Sequence, residues 1–307
     1  MPARPPADRR PKLLRIHLDG PMLANARARR FNFLNVLTDA VRDAGWQVAL
    51  LPEGPAADGD DLPEGVHALH HMRRPSHPRA LSFRRAYHYP FWFIEPVAER
   101  WRFAVARAAF DPAQIDGAAA AAFAERLRAR VLPGPPPRRG RHVLVPLQGH
   151  VRRCRSFQTM SPVAMLDRVC ATGLPVAATL HPRERYDADD RAALAALAAR
   201  HPNLTIGGDS AALLRDCAWV AAQNSAVCFD GFLLHKPAVL FGQIDFHHIG
   251  LNVAALGVET ALDRAPDHAP AFDRYLYWFL QMQAINATRP DAPDRIRAAM
   301  RRGGWPI

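Results

Sequence analysis

The sequence is poor in lysine: of its 40 basic residues only Lys12 and Lys236 are lysines, and the rest are arginines. It is also poor in cysteine. Cys154, Cys170, Cys217 and Cys228 form no Cys-x-x-Cys pair and show no Cys/His ligand spacing, which speaks against a thiolate metal site and a disulfide scaffold. Reduced core thiols and a cytoplasmic location are the expectation. No uninterrupted apolar run approaches the roughly 20 residues a membrane-spanning helix requires. Residues 1–12 are rich in Pro and Arg and lead into a strand pattern, not into the apolar core of a signal peptide.

The lysine shortage bears on the net charge of +11. Arginine enrichment beside abundant Ala and Pro is what a GC-rich coding bias produces. Arginines of that origin scatter over a surface and need not form the stripe that tracks nucleic-acid phosphates, so no nucleic-acid partner is expected. The distribution says more. Residues 1–142 hold 23 basic and 14 acidic side chains, against 17 and 15 in residues 143–307. A basic first half beside a near-neutral second half fits an anionic partner for the first, such as a membrane surface or a phosphate-bearing acceptor.

Proline is plentiful, and its clearest cluster is the run Leu132-Pro133-Gly134-Pro135-Pro136-Pro137. Prolines lack the backbone donor and favour extended geometry, so residues 133–141 read as a linker. It divides a domain over 1–132 from a second over 142–270, with helices over 271–307. A further loop, acidic and rich in Gly and Pro, is expected at 53–64. Before the linker, strands are predicted at 13–18 and 47–51 and helices at 31–44, 97–109 and 117–131. After it, strands at 142–145, 174–180, 204–206, 218–222 and 238–241 alternate with helices at 161–172, 189–200, 210–217 and 226–234. Pro146 is expected to end the pairing of the first of these strands. Alternation of this kind predicts a parallel, doubly wound sheet. The aromatic stretch 271–287 reads as one long helix and 291–301 as another. The fold class is therefore α/β, with two Rossmann-like doubly wound domains and a C-terminal helical extension, in outline GT-B-like.

Polar residues at the carboxyl ends of parallel strands lie where open α/β sheets bind ligands. His181, followed by Pro182, ends strand 174–180, and an imidazole there can donate to a phosphate oxygen and stabilise a departing nucleotide. A structural histidine fits the same position. Gln223-Asn224-Ser225 ends the next long strand and opens a helix, whose N-terminus suits a phosphate and equally suits simple capping by Asn224 or Ser225. Asp230, one turn along, reads as a ribose acceptor or as a solvated acid. Gln148 lies in the turn after the first strand of this half. Lys236, the second of two lysines, reads as a chosen point charge or as an accident of composition. In the first half, Asp19 follows the first strand, with Asn25 in the same loop. The segment 84–95 packs aromatics among charges and ends on Glu95, which fits a sugar-stacking surface with an acid/base or a core segment with snorkelling arginines.

Taken in order, Val145-Pro146-Leu147-Gln148, Arg155-Ser156-Phe157, His181-Pro182, Asn224-Ser225, Asp230-Gly231 and Lys236-Pro237 through Phe241-Gly242 resemble the capsule polysaccharide biosynthesis/export family. That family includes bacterial β-Kdo transferases acting on phospholipid, and the resemblance covers about residues 143–245. It implies a GT-B-type glycosyltransferase that uses a CMP-activated acidic sugar in preference to a UDP-sugar, with no metal or other cofactor required. It further implies phosphate contacts from His181 and Ser225 and a grip on the nucleotide sugar from Asp230. Where the family commonly carries Lys before His-Pro, this chain has Thr179-Leu180, and Asp230 stands where Glu is expected.

The expectation is a glycosyltransferase of surface-polysaccharide assembly. It would pass a sugar, such as Kdo from CMP-Kdo, to a lipid or glycan acceptor at a cytoplasmic, peripheral inner-membrane location. Donor contacts fall to Gln148, His181, Pro182, Asn224, Ser225, Asp230 and Lys236, and Asp19 and Glu95 join His181 as catalytic candidates. A nucleotide-sugar epimerase of GT-B shape and a non-catalytic export or assembly protein are the alternatives.

Overall fold

A computed structural model describes residues 12–54 and 62–307; residues 1–11 and the centre of the acidic loop expected at 53–64 lie outside the described residues. In chain order the first elements are β1 (Leu13–Leu18), α1 (Gly20–Arg27), α2 (Asn32–Asp43), β2 (Gln47–Pro52), β3 (Val66–His71), β4 (Ala80–Arg85), β5 (Phe91–Glu95) and α3 (Ala104–Arg107). There follow α4 (Gly117–Val131), β6 (Val143–Leu147), α5 (Pro162–Cys170), β7 (Val176–Leu180), α6 (Ala188–Arg200), β8 (Leu204–Ile206), α7 (Ser210–Asp216), β9 (Trp219–Ala222), α8 (Ala226–Leu233) and β10 (Ala238–Leu240). The chain closes with β11 (Leu251–Asn252), α9 (Val253–Leu256), α10 (Val258–Arg264), α11 (Phe272–Tyr277), β12 (Ile285–Asn286) and α12 (Ala292–Arg302).

Two compact units result, one from residues 1–107 with 280–307, the other from 108–279. The first is built on a six-stranded sheet of order β12-β5-β4-β3-β1-β2. Strands β1 to β4 run parallel, whereas β5 is antiparallel to β4 and β12 to β5. Strand β1 buries Leu14, Ile16 and Leu18, and α2 covers them with Phe33, Leu34, Leu37 and Val41, positions that recur on one helix face. Helix α12 adds Ile296 and Met300 to the same core.

The second unit is a wholly parallel sheet of order β11-β10-β9-β6-β7-β8. Strands β6, β9 and β10 are apolar throughout and β7 departs only at Thr179, as expected of strands buried on both faces. Ser161 caps α5 by accepting the Ala164 N–H, with Pro162 at the first helical position.

Three expectations need correction. First, the units divide at Arg107/Ala108 and not in the proline-rich segment, because α4 packs on α11 within the second unit. The proline-rich run then joins two parts of one unit and is strapped to it. The Arg215 guanidinium donates to the carbonyls of Leu132, Pro133 and Pro135 at 2.6–2.7 Å, while Gly140 packs so closely on the Asp216 carbonyl that a Cβ would overlap it. Second, the long helix over 271–287 is α11, a π-helical turn over 278–283, and then β12, which pairs with β5. An aromatic-rich stretch has no polar face to mark where its helix ends. Third, 97–109 holds only a 3-10 turn at Arg100–Arg102 and the four-residue α3. Strands β3, β4 and β5 and helix α1 carried too little alternation to be read from the sequence.

Candidate functional site

The sheet of the second unit changes direction at β6. From there the chain steps outward through β7 and β8, then returns to the other side through β9, β10 and β11. Such a switch point leaves a crevice outside the carboxyl ends of the two strands that flank it. Here the strands visibly part: the β6–β9 ladder holds only Val143↔Trp219 and Leu144↔Val220, whereas β6–β7 continues to Leu147↔Leu180. Pro146 therefore ends the pairing towards β9 and not towards β7, where it stands in register with Thr179.

Around this opening stand the exits of four neighbouring strands: Phe241-Gly242 from β10, Gln223-Asn224-Ser225 from β9, Gln148 from β6 and His181 from β7. The β7 exit is tied down by Tyr186, whose hydroxyl accepts the His181 N–H at 3.0 Å and donates to the Leu147 carbonyl at 3.3 Å, so one side chain joins the ends of β6 and β7. Burial pushes the Tyr186 pKa up. The His181 ring accepts the Arg183 backbone N–H on Nδ1 at 3.2 Å. Neutral His181 must then carry its proton on Nε2, which makes that nitrogen a donor. Pro182 follows on an exposed to half-buried turn.

Ser225 is the N-cap of α8, its Oγ accepting the Val227 N–H at 3.3 Å and its carbonyl the Cys228 N–H. The N–H of exposed Ala226, at the first helical position, has no protein acceptor, so capping leaves one donor of the helix terminus for a ligand. Asp230 lies four residues on, half-buried, on the face of Ala226, while Cys228, Phe229 and Phe232 turn into the core.

The segment between β6 and α5 crosses the β10 exit. Gln158 bridges to Gly242, Thr159 donates to the Phe241 carbonyl, and Gln223 Nε2 donates to the Met160 carbonyl at 3.1 Å. This brings in Arg155, which the sequence pattern contained without a role. Its guanidinium lies 4.8 Å from the centre of the Phe157 ring and reaches Gln148 Oε1 at 3.5 Å, leaving Nε without a partner. Arg152 was missed as well. It grips Asp187, Asp189 and Asp190 at the start of α6, fixing the loop after β6 to the loop that carries His181. Only their place in the loop after β6 could have drawn attention to them.

Lys236 does not join the group. It precedes β10, so it stands at the amino edge of the parallel sheet, opposite His181 and Ser225. In the first unit, Asp19 is the N-cap of α1, accepting the Met22 N–H at 2.8 Å at the carboxyl end of β1, and Asn25 lies inside that helix instead of a loop. Asp19, Asn25, Arg30 and Arg85 line a cavity of about 360 Å³ there. Glu95 is 5% exposed on β5, opposite Ser82, and its Oε1 accepts the Ala104 N–H at 3.1 Å. Since β3 and β4 separate β1 from β5, Asp19 and Glu95 are about 14 Å apart across the sheet. The two carboxylates do not form one site. Among the described residues, no group of three or more His, Cys, Asp or Glu side chains could hold a metal ion, and no helix is long and apolar enough to cross a membrane.

Two Rossmann-like sheets with a C-terminal helical stretch define the class of fold: the architecture is GT-B-like. Among solved structures it is similar to the β-Kdo 2,7 transferase of Thermosulfurimonas dismutans KpsC, with 13% identity over 94% of this chain and 98% of that one and a TM-score of 0.52. The β-Kdo 2,4 transferase of the same KpsC gives 13% identity over 85% and 88% at a TM-score of 0.43. The wall teichoic acid polymerase TagF gives 10% over 96% and 90% at 0.30. The sequence matches no family model and no curated protein. At 13% identity the likeness to the 2,7 transferase speaks to the fold alone.

Proposed function

We propose that this chain is a nucleotide-sugar-dependent glycosyltransferase that binds its donor at the carboxyl edge of the second sheet. The observation that carries the reading is the parting of β6 and β9 beneath a ring of donors: the His181 Nε2–H, Gln148, Arg155 and the N-terminus of α8. Each group suits negative charge, and together they suit the diphosphate or monophosphate of an activated sugar. As the glycosidic bond to the phosphate breaks, charge grows on the leaving phosphate oxygens, and a fixed N–H at His181 with a helix terminus at Ser225 stabilises it without reorganising. Pro182 and Asn224 shape the two turns, and Asp230 is the proposed acceptor for ribose hydroxyls.

The finer proposal is a CMP-linked acidic sugar such as Kdo, passed to a lipid or glycan acceptor of a surface polysaccharide at the cytoplasmic face of an anionic membrane. It rests on the order of motifs from Gln148 to Gly242 and on the charge excess of the first 142 residues. On this reading Asp19, at the carboxyl edge of the first sheet, serves the acceptor side. Glu95, committed to the Ala104 amide, takes no chemical part.

The test is thermal stabilisation by CMP, UDP and their sugars, repeated with His181→Ala. The expected outcome is a rise in Tm with CMP that His181→Ala removes. Stabilisation by neither nucleotide overturns the transferase. Preference for UDP keeps the class and removes Kdo. Turnover of a UDP-sugar to its epimer without an acceptor would establish the epimerase instead.

A further inference from the structure

Lys236 is the starting point. Its side chain is 3% exposed, and no carboxylate pairs with it. Its Nζ donates to the carbonyl of Arg138 and, at 2.7 Å, to that of Cys217. An ammonium has three N–H donors, so the third lacks a protein acceptor. A buried cation outside a direct ion pair is costly to hold; burial pushes the Lys236 pKa down, and the charge of nearby Asp216 offsets this only in part.

Lys236 lines a cavity of about 690 Å³ that lies wholly within the second unit. That volume is within the range of small-molecule sites. The cavity opens at the amino edge of the sheet, where Ala218 leads into β9 and Pro237 into β10. The five residues from Ala218 to Gln223 put it roughly 16 Å from the carboxyl edge, so it is not the donor site.

Its wall is cationic and partly aromatic. Arg138, Arg139 and Arg274 join Lys236, against Asp267 and Asp273. Asp273 is already engaged, by His235 Nε2 at 2.7 Å and by Arg128 at 3.9 Å, and Asp267 stands 3.9 Å from Arg139 on the rim. Arg274 is held over Gly117 by the Pro112 carbonyl at 2.8 Å; a Cβ on Gly117 would come within 3.0 Å of its Nη2. His235 sits at φ 55°, a left-handed conformation that costs a non-glycine residue about 1 kcal/mol or more. The result is a ring stacked on Phe272, with centroids 5.5 Å apart and planes 12° from parallel.

We propose that this cavity is a second ligand site, which takes a phosphorylated small molecule of about monosaccharide size, its phosphate on Lys236, Arg139 and Arg274 and its ring against His235 and Phe272. Guanidinium forks suit a phosphate, which also supplies the acceptor that Lys236 lacks. The exposed His235 ring, backed by Phe272, suits a sugar ring.

The test is calorimetric titration of the full chain with ribose 5-phosphate and, separately, with inorganic phosphate. Ribose 5-phosphate is expected to bind saturably, about tenfold more weakly to Arg139→Ala and to Arg274→Ala, and unchanged to His181→Ala. Arg139 is exposed, so its replacement leaves the fold intact. Inorganic phosphate is expected to bind more weakly, because it leaves the ring wall unused. No saturable binding below about 10 mM overturns the proposal. So does binding that His181→Ala removes and Arg139→Ala does not, or equal affinity for the two probes.

Discussion

The two sheets are alike in size and in their leading parallel strands, yet they place polar residues differently. In the first, buried histidines sit within the strands: His17 on β1 stacks on His70 of β3 with centroids 4.9 Å apart, and His67 lies edge-on to Trp46 and Trp305. In the second, the interiors of β6, β9 and β10 are apolar, and Gln223, Ser225 and Lys236 wait at the strand ends. A polar group inside a strand is enclosed by neighbours and governs stability, whereas one at a strand end meets whatever occupies the sheet edge. The wholly parallel sheet has a switch point where two strands part; the first spends its edge on antiparallel β5 and β12.

Substitutions should break this contrast unit by unit. The largest effect is expected at Gly140, where Val would overlap the Asp216 carbonyl and cost about 3 kcal/mol. Hydrogen exchange should then rise in β6 to β10 and stay unchanged in β1 to β4. Arg215→Ala frees the carbonyls of the proline-rich strap and should cost about 2 kcal/mol by denaturant titration. If stability is unchanged, the run is a linker after all.

His67 tests the first sheet. Burial pushes its pKa from 6.5 down to about 4, so the unfolded chain takes up a proton that the folded chain refuses. Stability should fall as pH drops from 6.5 towards 4, by about 1 to 2 kcal/mol after allowing for solvent screening. His67→Phe should flatten that slope in melts taken across the window. The smallest effect is expected of Glu95→Gln, which keeps an acceptor for Ala104: under about 1 kcal/mol in stability and a few-fold in transfer rate. A loss of about 100-fold or more would restore Glu95 as an acid/base.

Much of the second unit was legible because its strands are short apolar runs closed by turn residues, and its helices start at recognisable caps such as Ser161-Pro162 and Ser225. His181, Gln148 and Ser225 could be grouped because parallel strands send every exit to one edge. Lys236 could not be placed correctly by its nearness to Asp230 in sequence, because the return from α8 carries it to the other edge. Arg152 and Arg155 were hidden for a similar reason: nothing in an arginine-rich sequence separates two that grip a loop from those that face water.

The sequence by itself determined the alternation of strand and helix, the apolar interiors and the residues at strand exits, all of which are local in pattern. Only the tertiary structure decided that α4 belongs to the second unit, that residues 280–307 return to the first, and that Glu95 is bound to an amide. It also decided that Lys236 lines a cavity of its own. Those outcomes depend on which distant surfaces bury each other, and a hydrophobic pattern states that a face must be covered without naming what covers it.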